Sequence, residues 1–149
     1  MTRALFSKIL LTQIPIAKIA GLKLHSFNEE KAEISVNYGW LNQNPFKSMF
    51  WAVQGMAAEL STGILCSSKI QKSGLKISML VVGVEAKFMK KAVGKIIFTC
   101  GQGNELNEIL QKAIETGEGQ TLKMRSVGMN REGDQVSEFL FTWSFKVKK

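Results

Sequence analysis

A single carboxylate stands in the middle of the longest apolar segment of the sequence. Glu59 is separated by steps of three or four residues from four small residues, Ala52, Gly55, Gly63 and Cys66, and this spacing places all five along one stripe of a helix. Small side chains along a stripe allow another backbone to approach closely. An unpaired buried carboxylate is costly. Glu59 therefore needs either a partner, such as a backbone donor or a lysine across an interface, or a role as general base or nucleophile with a raised pKa.

The segment around Glu59 predicts a long central helix over residues 48–70, with Ser48 as its N-cap. It is apolar on nearly every side, which is typical of a helix that other structure wraps. Polar residues such as Gln54 interrupt the apolar run before it reaches the roughly 18–20 residues that cross a bilayer, so no membrane span is expected. The preceding loop, residues 38–47, is rich in Gly, Asn and Pro and contains Asn44.

The rest of the chain predicts six strands and two further helical segments. Residues 1–20 form the N-terminal helical segment, which Pro15 interrupts, and Asn104 and Gly117 bound a short amphipathic helix. Alternation of apolar and polar residues predicts strands at Leu22–Phe27, Ala32–Asn37, Ile77–Phe88, 94–100, Thr121–Met129 and 139–148. This order favours a single α+β domain, residues 1–149, in which a curved antiparallel sheet wraps the central helix. A partly apolar outer face favours association into a dimer or tetramer.

Composition narrows the classes of partner. The chain of 149 residues carries a formal net charge of +8, which favours polyanionic partners. Its lysines are scattered and no nucleic-acid motif accompanies them, so a phosphate-rich small ligand fits at least as well as nucleic acid. The two cysteines lie in apolar segments and are interpreted as buried free thiols in a cytoplasmic protein. One histidine and two dispersed cysteines offer no metal-site spacing, so no metal is expected.

Several stretches of the sequence resemble those of hotdog-fold thioesterases. The run from Asn44 to Ala52 continues through Ala58-Glu59 and Ser61-Thr62-Gly63 and looks like the loop and central helix of these proteins. The later run from Glu85 to Phe88, followed by Lys91-Ala92 and Gly94, resembles their strand and turn. The chain most resembles a thioesterase-like branch related to the phenylacetate-pathway acyl-CoA thioesterases, over roughly residues 14–146.

The resemblance implies an acyl-CoA hydrolase that works as a homodimer or a dimer of dimers, with its active sites at the subunit interface. The backbone amides of Phe50, Trp51 and Ala52 would polarise the thioester carbonyl. Glu59 of the facing subunit would activate water or attack directly, and Asn44 would orient water or substrate. Coenzyme A enters only as part of the substrate, and its phosphates would contact lysine side chains. The candidate lysines are Lys87, Lys90, Lys91 and Lys95.

One departure from the family pattern leaves a second hypothesis open. Catalytic members often carry His-Gly-Gly where this chain has Phe50-Trp51-Ala52, which removes a polar contact and narrows the space above the helix. A non-catalytic hotdog module that binds acyl-CoA, acyl carrier protein or a lipid is therefore the alternative. Phe50 and Trp51 either line an acyl tunnel or serve as core aromatics. A dehydratase of the same fold would need a His/Asp pair that the sequence does not offer.

Overall fold

Two short helices open the chain in the computed structural model, which describes residues 1–149. They are α1, Arg3–Gln13, and α2, Pro15–Ile19. The hydroxyl of Thr2 caps α1 by accepting a hydrogen bond from the amide of Leu5 at 3.1 Å, and Pro15 suits the first position of α2 because that position needs no amide donor. The N-terminal helical segment predicted for residues 1–20 is confirmed.

Six antiparallel strands form one sheet, in the order β1-β2-β4-β5-β6-β3. Their bounds are β1 Lys23–Phe27, β2 Ala32–Asn37, β3 Ile77–Phe88, β4 Lys95–Cys100, β5 Gln120–Met129 and β6 Gln135–Val147. All six predicted strands are present. Their ends differ from the prediction by a residue or so, except that β6 begins four residues before the predicted Phe139. The strand that follows the long helix, β3, pairs with the last strand of the chain, so β1 and β3 are the two free edges of the sheet.

The long helix α3, Trp51–Ser73, begins and ends three residues later than the predicted 48–70. Ser48 is not its N-cap, because Ser48 is buried and its hydroxyl hydrogen-bonds the side chain of Asn44. Phe50 stands at the cap position and offers no side-chain acceptor. At the other end, Gly74 adopts φ 71° and stops the helix. No helix of the protein is long and apolar enough to cross a membrane.

The sheet packs around α3, and a core of 30 buried residues joins the two. Two polar contacts within this core connect α3 to the C-terminal strands. The hydroxyls of Ser61 and Ser126 are 2.7 Å apart, and the indole Nε1 of Trp143 donates to the hydroxyl of Thr62 at 2.8 Å. These four side chains thus satisfy one another in two pairs, which fixes the rotation of α3 against β5 and β6.

The helix between β4 and β5 is α4, Gly103–Thr116, and it starts at a close approach between backbones. The prediction that Asn104 caps this helix was wrong, because Gln102 occupies the cap position. The amide of Gly103, the first residue of the helix, donates to the carbonyl of Glu30 at 3.0 Å. Gly117, at φ 69°, ends α4 as predicted.

Both cysteines, Cys66 and Cys100, are buried and free, as the sequence predicted. Burial raises the pKa of the Cys100 thiol to about 11 and that of Cys66 further. Neither thiol is a nucleophile near neutral pH.

Candidate functional site

A cleft of about 370 Å³ lies between the turn that precedes α3 and the segment that follows β3. Of the predicted site residues it brings together four: Asn44, Trp51, Lys90 and Lys91. The backbone amide of Met49 donates to the carbonyl of Ala92 at 2.9 Å and holds the two walls together. Within one chain, the cleft does not include the other predicted residues. These are Glu59, Phe50, Ala52, Lys87 and Lys95.

The first amides of α3 provide hydrogen-bond donors without acceptors. A helix leaves its first amides unsatisfied, and those of Trp51 and Ala52 form no hydrogen bond within the chain. The amide of Phe50 differs from the prediction, since it donates to the carbonyl of Asn42 at 2.8 Å and is not available to a ligand. Two amides, at the positive end of a helix of 23 residues, can therefore polarise a carbonyl oxygen.

The side chain of Asn44 builds the turn that leads into α3. Its Oδ1 accepts from the amides of Phe46 at 2.9 Å and Ser48 at 3.3 Å, and its Nδ2 donates to the Ser48 hydroxyl at 3.1 Å and the Met49 carbonyl at 3.3 Å. Lys47, inside this turn, adopts φ 61°. Because both polar atoms of the amide have partners, the contacts of Asn44 position the loop beside the helix start.

The four predicted lysines occupy different surroundings. Lys90 forms an ion pair with Asp134 at 2.6 Å, and this hydrogen bond raises the pKa of Lys90. The Nζ of Lys91 donates to the carbonyl of Phe46 at 3.1 Å across the cleft and keeps two further donors. Lys87 is exposed on β3, opposite Glu138. Lys95 lies at the start of β4, in a groove beside α1.

Glu59 is half-buried on the side of α3 that the sheet leaves partly open. It lies about 12 Å along the helix axis from Trp51, at 1.5 Å per residue. Burial raises the pKa of its carboxyl group, and no side chain or backbone donor of the chain contacts the carboxylate. Two glycines of the predicted stripe adjoin β6, because a Cβ on Gly55 would lie 3.5 Å from Phe139 and one on Gly63 would lie 3.5 Å from Trp143.

The predicted stripe ends in the core. Cys66 is fully buried, as the sequence predicted, and its thiol contacts the sulfur of Met124 at 3.5 Å.

Gln54 lines the cleft and was not among the predicted site residues. It is buried, its Nε2 donates to the carbonyl of Met49 at 3.3 Å, and its Oε1 has no partner. A buried amide oxygen without a donor is uncommon in native structures and often marks a functional position. The signal in the sequence was a glutamine within an otherwise apolar helical segment.

The antiparallel sheet wrapped around α3 places the protein in the hotdog-fold class, and solved structures confirm this architecture. A Pseudomonas aeruginosa protein described as a "Probable Thioesterase" superposes with a TM-score of 0.85 at 17% identity, over 99% of this chain and 97% of that one. A thioesterase of Haemophilus influenzae gives 0.74 at 13% identity, over 99% and 92%. A variant of a Staphylococcus aureus thioesterase gives 0.65 at 14% identity, over 84% and 93%.

Residues 2–145 match the family model described as "Domain of unknown function (DUF4442)". The chain therefore belongs to the DUF4442 family. No curated protein matches its sequence at a significant level.

Proposed function

We propose that the protein is an acyl-thioester hydrolase that acts on acyl-CoA and has its active site at a subunit interface. The observation that carries this proposal is the pair of unpartnered amides, Trp51 and Ala52, at the start of a long helix whose first residue lines a cleft. Such donors stabilise the oxyanion that forms when a thioester carbonyl is attacked. The similarity to solved thioesterases of the same fold supports the choice of a thioester as substrate.

The reaction needs a base, and Glu59 is the candidate. Its carboxyl group is half-buried and unpaired, with a raised pKa, which is typical of a group that accepts a proton near neutral pH. It would take a proton from water while the oxygen of that water bonds to the thioester carbon. The carbon–sulfur bond then breaks, the proton held by Glu59 passes to the sulfur, and the products are a carboxylic acid and the free thiol.

A second copy of the chain is proposed to bring Glu59 to the cleft, because Glu59 is not part of the cleft in its own chain. The free edge of the sheet supports such a homodimer. β3 is 12 residues long and exposes Leu80, Val82, Val84 and Phe88. A long exposed edge strand is a surface on which another strand pairs. A dimer of dimers would use further apolar surface.

The solved Staphylococcus aureus structures add a second line of support. One carries alanine in place of a glutamate and the other in place of a glutamine, and fifteen residues separate the two positions in that protein. The same separation relates Asn44 and Glu59 in this chain. In our proposal the side chain of Asn44 acts by fixing the turn, and Gln54, with its free Oε1, takes the polar contact with water or substrate.

Aromatic side chains beside the cleft are proposed to contact the acyl chain. Phe50 and Trp51 are 44% and 57% exposed and their rings meet edge to face, so neither is a core aromatic within one chain. Lys91 would contact a phosphate of coenzyme A near the cleft. Lys90 would contact a phosphate only after its ion pair with Asp134 breaks.

Replacing the proposed base tests the function. Glu59→Gln keeps the size of the side chain and removes its basicity. We expect thiol release from acyl-CoA substrates to fall by about 10²–10⁴-fold, the usual contribution of a general base. Glu108→Gln, which changes an exposed carboxylate on α4, is the matched control and should retain full activity. Equal rates for wild type and Glu59→Gln would remove Glu59 from the mechanism.

A binding module for acyl-CoA, acyl carrier protein or a lipid is the second candidate. It is favoured by one observation, namely that Trp51 fills space where catalytic hotdog proteins often have glycine. Saturable binding of an acyl-CoA by the wild-type protein, without thiol release at any chain length, would establish this alternative. Release of thiol would reject it.

A further inference from the structure

A second cavity, of about 350 Å³, lies between the N-terminal helices and the outer end of β1 and β2. We call it the α1 groove. Basic side chains surround it, and these are Arg3, Lys18, Lys23, His25 and Lys95. Phe6, Leu22 and Leu24 lie beneath these cations and are almost fully buried. The α1 groove shares no lining residue with the cleft at the start of α3.

The pairing of the strands explains why these cations converge. Lys23 on β1 pairs with Ser35 on β2, and Lys95 on β4 pairs with Asn37 two residues further along β2. Paired residues of adjacent antiparallel strands project from the same face, and so do residues two apart on one strand. The two lysines therefore stand on one face of the sheet, and α1 and α2 bring Arg3 and Lys18 to it.

The charge in the α1 groove is not neutralised within the chain. No carboxylate lines the groove, and none of its lysine or arginine side chains forms an ion pair. Lys18 donates to the hydroxyl of Ser7 at 2.6 Å and Arg3 to the carbonyl of His25 at 3.4 Å. Glu33 is the carboxylate that interacts electrostatically with His25. Its oxygens already accept hydrogen bonds from the hydroxyls of Ser26 and Thr99, and it forms an ion pair with Lys31.

Like charges held together without a counter-charge repel one another, so such a cluster gains from an anion. Phosphate groups carry the charge that such a cluster of cations attracts. We propose that the α1 groove binds the phosphate groups of a small ligand. This chemistry has two sources, a free nucleotide or the nucleotide end of coenzyme A, and the second rests on the proposed function.

Contacts through Asn42 connect the α1 groove to the cleft. The side-chain amide of Asn42 donates to the carbonyls of Ala20, at the end of α2, and Asn37, at the end of β2, at 3.1 and 2.9 Å. The backbone carbonyl of Asn42 accepts a hydrogen bond from the backbone amide of Phe50 at 2.8 Å. One buried residue thus joins the ends of α2 and β2, which flank the groove, to the start of α3.

Calorimetric titration of the full chain with adenosine 3′,5′-bisphosphate tests the site directly. The variant Lys18→Gln/Lys23→Gln removes two exposed cations of the α1 groove. The variant Lys8→Gln/Lys112→Gln removes two exposed cations elsewhere and is the matched control. We expect binding to weaken by about tenfold or more in the groove variant alone, because it loses charge-assisted hydrogen bonds to phosphate. No binding by the wild type, or equal weakening in both variants, would overturn the proposal.

Thiol-release kinetics then separate the two sources. A raised KM for acyl-CoA in the groove variant, with kcat unchanged, would identify the ligand as coenzyme A. An unchanged KM with weakened bisphosphate binding would identify a free nucleotide. The titration does not depend on turnover, so the site is tested even if the protein hydrolyses no thioester.

Discussion

At the scale of single residues, Glu59 combines partial burial with the absence of any hydrogen-bond donor. Its raised pKa has burial as its only cause, so the folded state opposes ionisation and the unfolded state does not. Above the ordinary glutamate pKa of about 4.5, the unfolded chain loses this proton more readily than the folded one. The raised pKa of Glu59 contributes fully to the free energy of unfolding below that pH. This contribution is lost as the pH rises through the pKa of Glu59 in the folded protein.

Glu59→Gln should therefore stabilise the protein at neutral pH. The expected gain in free energy of unfolding at pH 7 is on the order of 1 kcal/mol, a typical cost of burying a polar group without a partner. At pH 3 the gain should vanish, because this pH lies well below the ordinary glutamate pKa of 4.5 and the wild-type carboxyl is then protonated in both states. Urea denaturation at the two pH values measures both quantities. A variant less stable than wild type at pH 7 would show that Glu59 has a cationic partner across an interface.

At the scale of elements, the start of α4 depends on a glycine, because a side chain there would collide with the backbone of another segment. A Cβ on Gly103 would lie 2.1 Å from the carbonyl oxygen of Glu29 and 2.6 Å from the Cα of Glu30. The turn between β1 and β2 therefore packs directly against the helix start. Two residues earlier, a Cβ on Gly101 would meet nothing within 4 Å.

Gly103→Ala should lower the free energy of unfolding by about 1–3 kcal/mol, since backbone atoms must move to admit the methyl group. Thermal unfolding measures the effect, which corresponds to a drop of several degrees in Tm for a protein of this size. Gly101→Ala is the matched control and should leave the Tm within about one degree. Similar losses in both variants would mean that flexibility of the segment, and not the contact, causes the change.

The elements differ in how far local sequence determines them. The alternation of Phe139, Phe141 and Trp143 predicted β6 because one face of that strand is buried and the other is not. The start of α3 could not be predicted in the same way. Ser48 has the composition of an N-cap, but its hydroxyl is recruited by Asn44, and helical periodicity contains no information about such a turn.

At the scale of the whole molecule, the separation between Glu59 and the cleft shows why the candidate site was only partly predicted. Residues close in sequence, such as Asn44 and Trp51, do meet in the cleft with Lys90 and Lys91. Glu59 does not, and in the proposed function it reaches the cleft only through association of two chains. The position of Lys95 in the α1 groove follows from strand pairing, and the sequence did not predict it either.

Val84→Lys tests the proposed homodimer. Val84 is 58% exposed on the free edge strand β3. Where two copies of β3 pair about a two-fold axis, lysines near that axis repel each other. We expect the variant to have half the native mass of the wild type by light scattering, and to lose thiol release if Glu59 acts across the interface. Leu11→Lys, on the exposed side of α1, is the control and should remain dimeric. A wild-type monomer, or a dimeric Val84→Lys, would contradict this interface.

The pairing of β3 with β6 also sets the order in which the fold can be completed during synthesis. β3 is finished at Phe88, but its only partner in the sheet begins at Gln135. A ribosome adding roughly 5–20 residues per second leaves β3 without a neighbour for several seconds. Until β6 emerges, both edges of β3 are unpaired. A nascent chain is thus most open to pairing with another copy before its own sheet is closed.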